Sequence, residues 1–132
     1  MGRKRKEASL QPTPAELEIL QVLWGRGGAT VREVHEALLP SWPVGYTTVL
    51  KMMQVMAEKG LVERDTDQRS HVYRAAITKT ATQRRLVREL LDRAFDGSLQ
   101  QLLVRAIEER STSAKEIEAI RRLLEEHKRG TP

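Results

Sequence analysis

Residues 46–74 read YTTVLKMMQVMAEKGLVERDTDQRSHVYR, and their pattern of apolar residues changes at Gly60. Before Gly60 the apolar residues recur at intervals of three and four, which is typical of an amphipathic helix ended by a glycine. After it, residues 61–64 and 71–74 have the near alternation of short strands, with the polar stretch 65–70 between them. A helix over 46–59 and a β-hairpin are therefore predicted.

Two more helices are predicted before this stretch, because each begins with a capping box. In a capping box a Thr hydroxyl accepts the amide three residues on, and a Glu at that position reaches back to the Thr amide. The boxes are Thr13 with Glu16 and Thr30 with Glu33, and the helices are expected over residues 14–24 and 30–38. Three helices followed by a hairpin is the order of a winged helix-turn-helix, here spanning residues 10–77.

From Thr78 onward only helices are predicted, over residues 81–95, 99–109 and 114–128, the last two after the capping boxes of Ser98 and Ser113. Each helix carries an apolar stripe, and three such short helices cannot easily bury those stripes in one chain. A second copy is the expected source of the missing surface, so residues 78–132 are predicted to be a helical dimerisation region. The stripe residues are Leu86, Leu90, Leu99, Leu102, Leu103, Ile107, Ile117, Ile120 and Leu124.

The helix over 46–59 has two faces when its residues are placed at 100° intervals. The side expected to face the core carries Tyr46, Val49, Leu50, Met53, Met56 and Ala57. The opposite side carries Thr47, Thr48, Lys51, Gln54 and Glu58. Such polar groups near a helix start can reach base edges in the major groove, although the pattern alone fits an ordinary solvated face equally well.

The net charge of +5 is unevenly distributed along the 132 residues. Residues 7–77 carry seven Lys and Arg against nine Asp and Glu, a net of −2. Positive charge is concentrated in residues 3–6 (RKRK), within a basic tail assigned to residues 1–9, and in the C-terminal helices. Phosphate binding therefore requires local clustering of basic residues, for which the candidates are Arg26, Arg32, Lys51, Arg69 and the tail.

Several classes of protein are disfavoured by what the sequence lacks. There is no cysteine, no nucleotide-binding glycine loop and no hydrolase or metalloprotease motif, so neither a catalytic residue nor a cofactor site is predicted. The three histidines lie in separate elements, so no metal site is predicted. No segment resembles a membrane span or signal peptide, so a non-enzymatic cytoplasmic protein is expected.

Four spaced segments resemble the penicillinase repressor family, the BlaI/MecI/CopY-type bacterial repressors. They are LEILQVLW at residues 17–24, TVREV at 30–34, YTTVL at 46–50 and EKGLV at 58–62. In the C-terminal region, FDGSL at 95–99 and LEEHK at 124–128 are also similar to that family. The resemblance covers nearly the whole chain after the tail.

The resemblance implies a homodimeric repressor that reads an inverted-repeat operator in double-stranded DNA, associated with the bacterial nucleoid. By position, Thr48 and Lys51 would face the DNA bases, with Gln54 on the same side of the helix. Thr47 would lie near the DNA backbone. Arg69 in the hairpin loop would approach a phosphate. Many relatives carry a basic residue where this chain has Val55.

The resemblance also implies a regulatory protease as a partner. Relatives that respond to β-lactams are cut between Asn and Phe, but the matching positions here are Arg105 and Ala106. The cysteine motif of copper-responsive relatives is absent as well, so release by proteolysis elsewhere and release by a ligand both stay open. The alternative function is a winged-helix module that docks protein without DNA sequence specificity.

Overall fold

The computed structural model describes residues 11–67 and 71–130. This part of the chain is mostly helical, with six helices and one antiparallel β-hairpin. In chain order the elements are α1 (Pro14–Arg26), α2 (Val31–Leu38), α3 (Tyr46–Lys59), β1 (Val62–Asp65), β2 (Val72–Ala75), α4 (Lys79–Ala94), α5 (Leu99–Glu109) and α6 (Ala114–Gly130). The predicted fold class is confirmed: a winged helix-turn-helix is followed by a helical region. The basic tail and Arg69 lie outside the described residues.

The helix starts follow the capping signals in the sequence. At α1 and α2 both halves of the capping box form, with Thr13 and Thr30 as the N-caps. At α5 and α6 the hydroxyls of Ser98 and Ser113 accept the amides of the third helical residue at 3.1 Å. Helix α4 begins at Lys79 rather than at the predicted residue 81, because the Thr78 hydroxyl accepts the Ala81 amide at 3.1 Å. These caps satisfy amides that have no partner within the helix.

The hydrophobic core lies between the first three helices and the hairpin. The buried apolar residues are Ile19, Leu20, Leu23, Ala29, Val31, Val34, Leu38, Val49, Met53, Met56, Leu61, Val62 and Tyr73. Burying one large apolar side chain contributes about 1.5 to 3 kcal/mol, so this cluster is the main stabilising term of the winged helix. The predicted inner face of α3 is wrong at Tyr46, whose side chain is 45% exposed at the start of the helix.

The hairpin is attached to the helices through backbone and side-chain hydrogen bonds. Its strands pair with Val62 opposite Ala75 and Asp65 opposite Val72, one residue later than predicted. The shift occurs because Leu61 belongs to the end of α3: its amide bonds to the Met56 carbonyl at 2.9 Å around Gly60, which has φ 86°. The hairpin also bonds to Ala29, since the amides and carbonyls of Ala29 and Tyr73 exchange two hydrogen bonds.

The chain divides into two compact units after Arg85, within α4. The first unit contains the winged helix. The second contains the rest of α4 with α5 and α6, and between residues 86 and 130, all of which are described, no residue is buried. None of the helices in the described ranges has the length and apolar character that a membrane crossing requires.

Candidate nucleic-acid interface

The outward face of α3 carries the polar residues that the sequence assigned to it. Thr47, Thr48, Lys51, Gln54 and Glu58 are all exposed. On the opposite side of the helix Val49, Met53 and Met56 are fully buried in the core, which fixes the rotation of α3 about its axis. The polar side chains of α3 are therefore held on the side of the helix that faces away from the core.

The start of α3 is held in place by the turn that precedes it. The imidazole Nε2 of His35 in α2 lies 2.8 Å from the Val44 carbonyl oxygen, and the His35 and Tyr46 rings meet edge to face with centroids 6.0 Å apart. These contacts account for the outward position of Tyr46, which packs on His35 instead of entering the core. They join the turn to α2 and so fix where α3 begins.

The electrostatics at this helix start favour an anion. Gly45 at the N-cap provides no side chain to accept the first amides, and residues 46–49 include no acidic side chain. The amides at a helix N-terminus carry the positive end of the helix dipole, which attracts negative groups. Thr47 and Thr48 lie at this end, and Lys51 lies one turn further along.

A cleft of about 660 Å³ runs between the start of α2, one side of α3 and the hairpin, and we call it the wing cleft. It brings together two of the predicted residues, Arg32 and Gln54, with two that sequence reasoning missed, Arg64 and His71. Its other lining residues are Thr30, Val31, Tyr46, Leu50 and Tyr73. With two guanidinium groups and an imidazole, the cleft has donors suited to phosphate oxygens.

A second, smaller depression of about 290 Å³ lies on the other side of α3, and we call it the α1 depression. It is lined by Glu16, Thr47, Thr48, Lys51, Met52 and Val55. The predicted DNA-contacting residues of α3 are thus divided between two sides: Thr47, Thr48 and Lys51 border this depression, and Gln54 borders the wing cleft.

The carboxylate of Glu16 is buried at the edge of the α1 depression, where the residue is 5% exposed. Its Oε1 accepts the Thr13 amide at 2.9 Å, and its Oε2 accepts the Lys59 ammonium at 2.7 Å. Because a buried charge is costly unless it is paired, these two donors allow Glu16 to lie beside the outward face of α3. Lys59 is therefore engaged within the fold.

Two further carboxylates, the half-buried Asp65 and the exposed Glu33, also accept hydrogen bonds within the fold. The backbone amide of Asp67 lowers the pKa of the Asp65 carboxyl by hydrogen bonding to Oδ1 at 3.0 Å, and Arg74 adds a contact to Oδ2 at 3.3 Å. The backbone amide of Thr30 lowers the pKa of Glu33 in the same manner. Arg74 is thus directed to the hairpin's own carboxylate, whereas Arg64 on the neighbouring strand lines the wing cleft.

The sequence contained only a partial signal for Arg64 and His71. Both lie at exposed positions of the predicted strand segments, next to buried Leu61, Val62 and Tyr73. Alternation along a strand distinguishes exposed from buried positions, but it does not show which exposed side chains turn toward α2.

The predicted dimerisation residues have at least part of their side chains accessible. Leu90, Leu99, Ile107, Ile117 and Leu124 are each about half exposed, and Leu86, Leu102, Leu103 and Ile120 are partly exposed. Further exposed apolar side chains are Val87, Val104 and Leu123. Accessible apolar side chains are thus concentrated on the last three helices.

The described ranges offer no cluster of three or more His, Asp or Glu side chains able to hold a metal ion. His35 is used in the turn before α3, and His71 lies in the wing cleft. The guanidinium groups of Arg32 and Arg64 in the wing cleft can donate hydrogen bonds and supply positive charge.

Comparison with known proteins matches this sequence to transcriptional repressors. The family model described as "Penicillinase repressor" matches residues 12–126. The chain is 37% identical over 117 residues to the "Transcriptional regulator BlaI" of Mycobacterium tuberculosis, which covers 87% of this chain and 83% of that one. It is 26% identical over 118 residues to the "Penicillinase repressor" of Bacillus licheniformis, covering 89% of this chain and 92% of that one.

Among solved structures, the chain is similar to a mutant of MarR from E. coli. The TM-score is 0.48 with 20% identity, over 94% of this chain and 88% of that one.

Proposed function

This chain belongs to the penicillinase repressor family and is a DNA-binding transcriptional repressor, and we propose that it acts as a homodimer on an inverted-repeat operator. In this proposal each subunit places α3 in the major groove of one half-site. Control is by occupancy, since a bound dimer excludes polymerase from the promoter.

The observation that carries the proposal is the outward face of α3. The first turn of α3 contains no acidic residue, and at this end of the helix the side chains of Thr47, Thr48 and Lys51 are exposed. The opposite side of the helix is buried in the core. Thr methyl groups can contact thymine, and Lys and Gln can reach purine edges. A protein-docking winged helix would present an apolar or acidic face here, so this face favours DNA.

Phosphate contacts are assigned to the wing cleft and the hairpin loop. Arg32 of α2 and Arg64 of the hairpin both line the cleft, and together they can bind the phosphates of one DNA strand. Arg69, in the loop between the strands, is expected to approach a neighbouring phosphate. Such contacts position the protein on DNA but carry no sequence information themselves.

The homodimer is supported by the second unit. Residues 86–130 include the exposed apolar stripes of α4, α5 and α6 and no buried residue. Burial of apolar surface contributes about 25 cal/mol per Å², so a partner that covers these stripes is stabilised strongly. A second copy presents the same stripes, and twofold symmetry then places two reading helices on inverted half-sites.

We assign release from the operator to a signal other than the cleavage between Asn and Phe that occurs in β-lactam-responsive relatives. Arg105 and Ala106 occupy the matching positions on α5, where Arg105 pairs with Glu108. A regulatory protease acting at a different bond, or a ligand, remains the proposed route. The proposed location is the bacterial cytoplasm, on the nucleoid.

Recovery of genomic DNA fragments with purified protein tests this function. Fragments of sheared bacterial DNA that bind at about 150 mM salt should share an inverted repeat, with half-sites about one helical turn apart or a small multiple of it. A second selection with Thr48 and Lys51 both replaced by Ala should lose that repeat. Recovery of random fragments by the wild-type protein would contradict a sequence-specific repressor.

A further inference from the structure

We propose that Val55, together with the α1 depression that it lines, recognises the C5 methyl group of a thymine in each operator half-site. This inference rests on the proposed function, since it assigns a base preference to the outward face of α3. Thr48 and Lys51 supply polar contacts in that function, and Val55 adds an apolar one on the same side of the helix.

The first support is the position of Val55 on α3. Thr48, Lys51 and Val55 follow one another at intervals of three and four residues, so they lie along one face of the helix. At 100° per residue Val55 is rotated by only about 20° from Thr48, and it lies about 10.5 Å further along the axis. In other DNA-binding helices that occupy the major groove, base contacts extend over such a seven-residue stretch. Val55 is therefore within the part of α3 that can contact bases.

The second support is that Val55 does not belong to the core. Its side chain is 37% exposed, whereas Val49, Met53 and Met56 on the opposite side of α3 are fully buried. A single exposed valine is ordinary on a protein surface. The residues that surround this valine are what assign it a contact.

Those residues form the α1 depression of about 290 Å³. Beside Val55 the depression is lined by the half-buried Met52 and by Thr47 and Thr48, whose side chains end in a methyl group and a hydroxyl. A methyl group that enters this depression leaves water and contacts the carbon atoms of Val55 and Met52, which stabilises the bound state. The depression thus offers an apolar contact at the surface of α3.

The charges around the depression favour a neutral group over a phosphate. Among the described residues that line it, Lys51 is the only cation, and the Glu16 carboxylate lies in the same lining. The guanidinium groups suited to phosphate, those of Arg32 and Arg64, line the wing cleft instead. Of the groups that base pairs present in the major groove, the thymine methyl is the apolar one. The depression is therefore matched to thymine.

The test uses the operator that the wild-type full-length chain selects. Each thymine of a half-site is replaced in turn, in both half-sites, by deoxyuridine, which removes only the C5 methyl group. Loss of one buried methyl corresponds to about fourfold in affinity, so one substitution should weaken wild-type binding by about fourfold per half-site and about 16-fold for the dimer. In Val55→Ala, uracil at that same position should have little further effect.

Two controls separate this contact from a general effect on the fold. Leu39→Ala truncates another exposed apolar side chain, which follows α2 and is 42% exposed, and this variant should keep the full sensitivity to uracil. Affinity for random DNA should be the same in Val55→Ala as in the wild type, because phosphate contacts are retained. Loss of that affinity would overturn the proposal, since Val55 would then have a structural role.

A methylated cytosine provides an independent test of the methyl contact. When C·G replaces the critical T·A pair, 5-methylcytosine returns a methyl group to the same place in the groove. Wild-type protein should bind the 5-methylcytosine operator about fourfold per half-site more tightly than the cytosine operator, and Val55→Ala should bind both alike.

The proposal is overturned if uracil weakens wild-type binding at none of the thymines, or if the operator half-sites contain no thymine. It is equally overturned if Val55→Ala keeps the wild-type response to uracil, because another residue would then contact the methyl group. If the wild-type protein selects no operator at all, the proposed function itself fails.

Discussion

The Oε2 atom of Glu16 accepts a hydrogen bond from the Lys59 ammonium at 2.7 Å, which joins the first turn of α1 to the last turn of α3. The same carboxylate completes the capping box of α1 by accepting the Thr13 amide. One buried side chain therefore sets both the start of α1 and the position of α3 relative to it.

Replacing Glu16 by Ala should destabilise the winged helix by about 1 to 3 kcal/mol, because the change leaves the Thr13 amide and the Lys59 ammonium without this acceptor. Chemical denaturation measures the change in the free energy of unfolding. Glu33→Ala is the matched control, since it removes the equivalent capping carboxylate from α2 at an exposed position. If Glu16→Ala lowered the free energy of unfolding no more than Glu33→Ala does, the ion pair between Glu16 and Lys59 would contribute nothing to stability.

Replacing Lys51 by Ala should reduce operator affinity by about 1 to 3 kcal/mol and relax selectivity at one base pair, because a base-reading contact is lost. Competition binding against operators mutated at single positions measures both effects. If the variant lost affinity equally for operator and random DNA, Lys51 would be a phosphate contact instead.

Replacing Arg64 by Ala should weaken binding to all DNA sequences alike and lower the salt slope by about 0.9 per protomer, because one phosphate contact is removed from the wing cleft. Arg69→Ala should behave similarly. Arg74→Ala is the control within the same hairpin, since its guanidinium is directed to Asp65. An Arg64 variant indistinguishable from the Arg74 variant would contradict the role of the wing cleft.

The protein should sediment as a dimer of twice its 15.1 kDa chain mass at micromolar concentration. Ile107→Glu combined with Leu124→Glu should yield monomers, because two charges would be placed on the apolar stripes of α5 and α6. Lys115→Glu is the control, a charge change at an exposed polar position of α6. Wild-type protein that sediments as a monomer would contradict the dimer.

The hairpin loop should lose stability only at acid pH. Hydrogen bonds to the ionised Asp65 carboxyl lower its pKa below the ordinary value of 3.8, so their stabilisation is fully present above that value and is lost as the pH falls through the lowered pKa. NMR titration of the Asp65 carboxyl should give a midpoint below that of Asp in the unfolded chain. In Asp65→Asn the acid-dependent part of loop stability should disappear, and an unchanged pH profile would contradict this.

Insertion of about five base pairs between the half-sites should abolish tight binding of the dimer, because it rotates one half-site to the opposite face of the duplex. Insertion of a full turn of about ten base pairs is the control for spacing alone. Equal affinity for the original and the half-turn operators would mean that the two subunits read DNA independently.

Local signals in the sequence were enough to predict the helices and the polar face of α3. Capping boxes act over three residues, and the two faces of a helix follow from a repeat of 3.6 residues. Thr13, Thr30 and Val49 therefore adopt their predicted places with no information from distant parts of the chain.

Contacts between residues that are far apart in the sequence determine the features that these local signals do not predict. Tyr46 fits a core position by spacing, but it lies at the start of α3, where His35 offers an aromatic contact outside the core. Glu16 meets Lys59 across 43 residues, and the wing cleft joins Arg32 to Arg64 and His71 only after the hairpin pairs and attaches to Ala29. Periodicity shows which side chains leave the core, whereas the packing of separate elements determines which of those side chains meet.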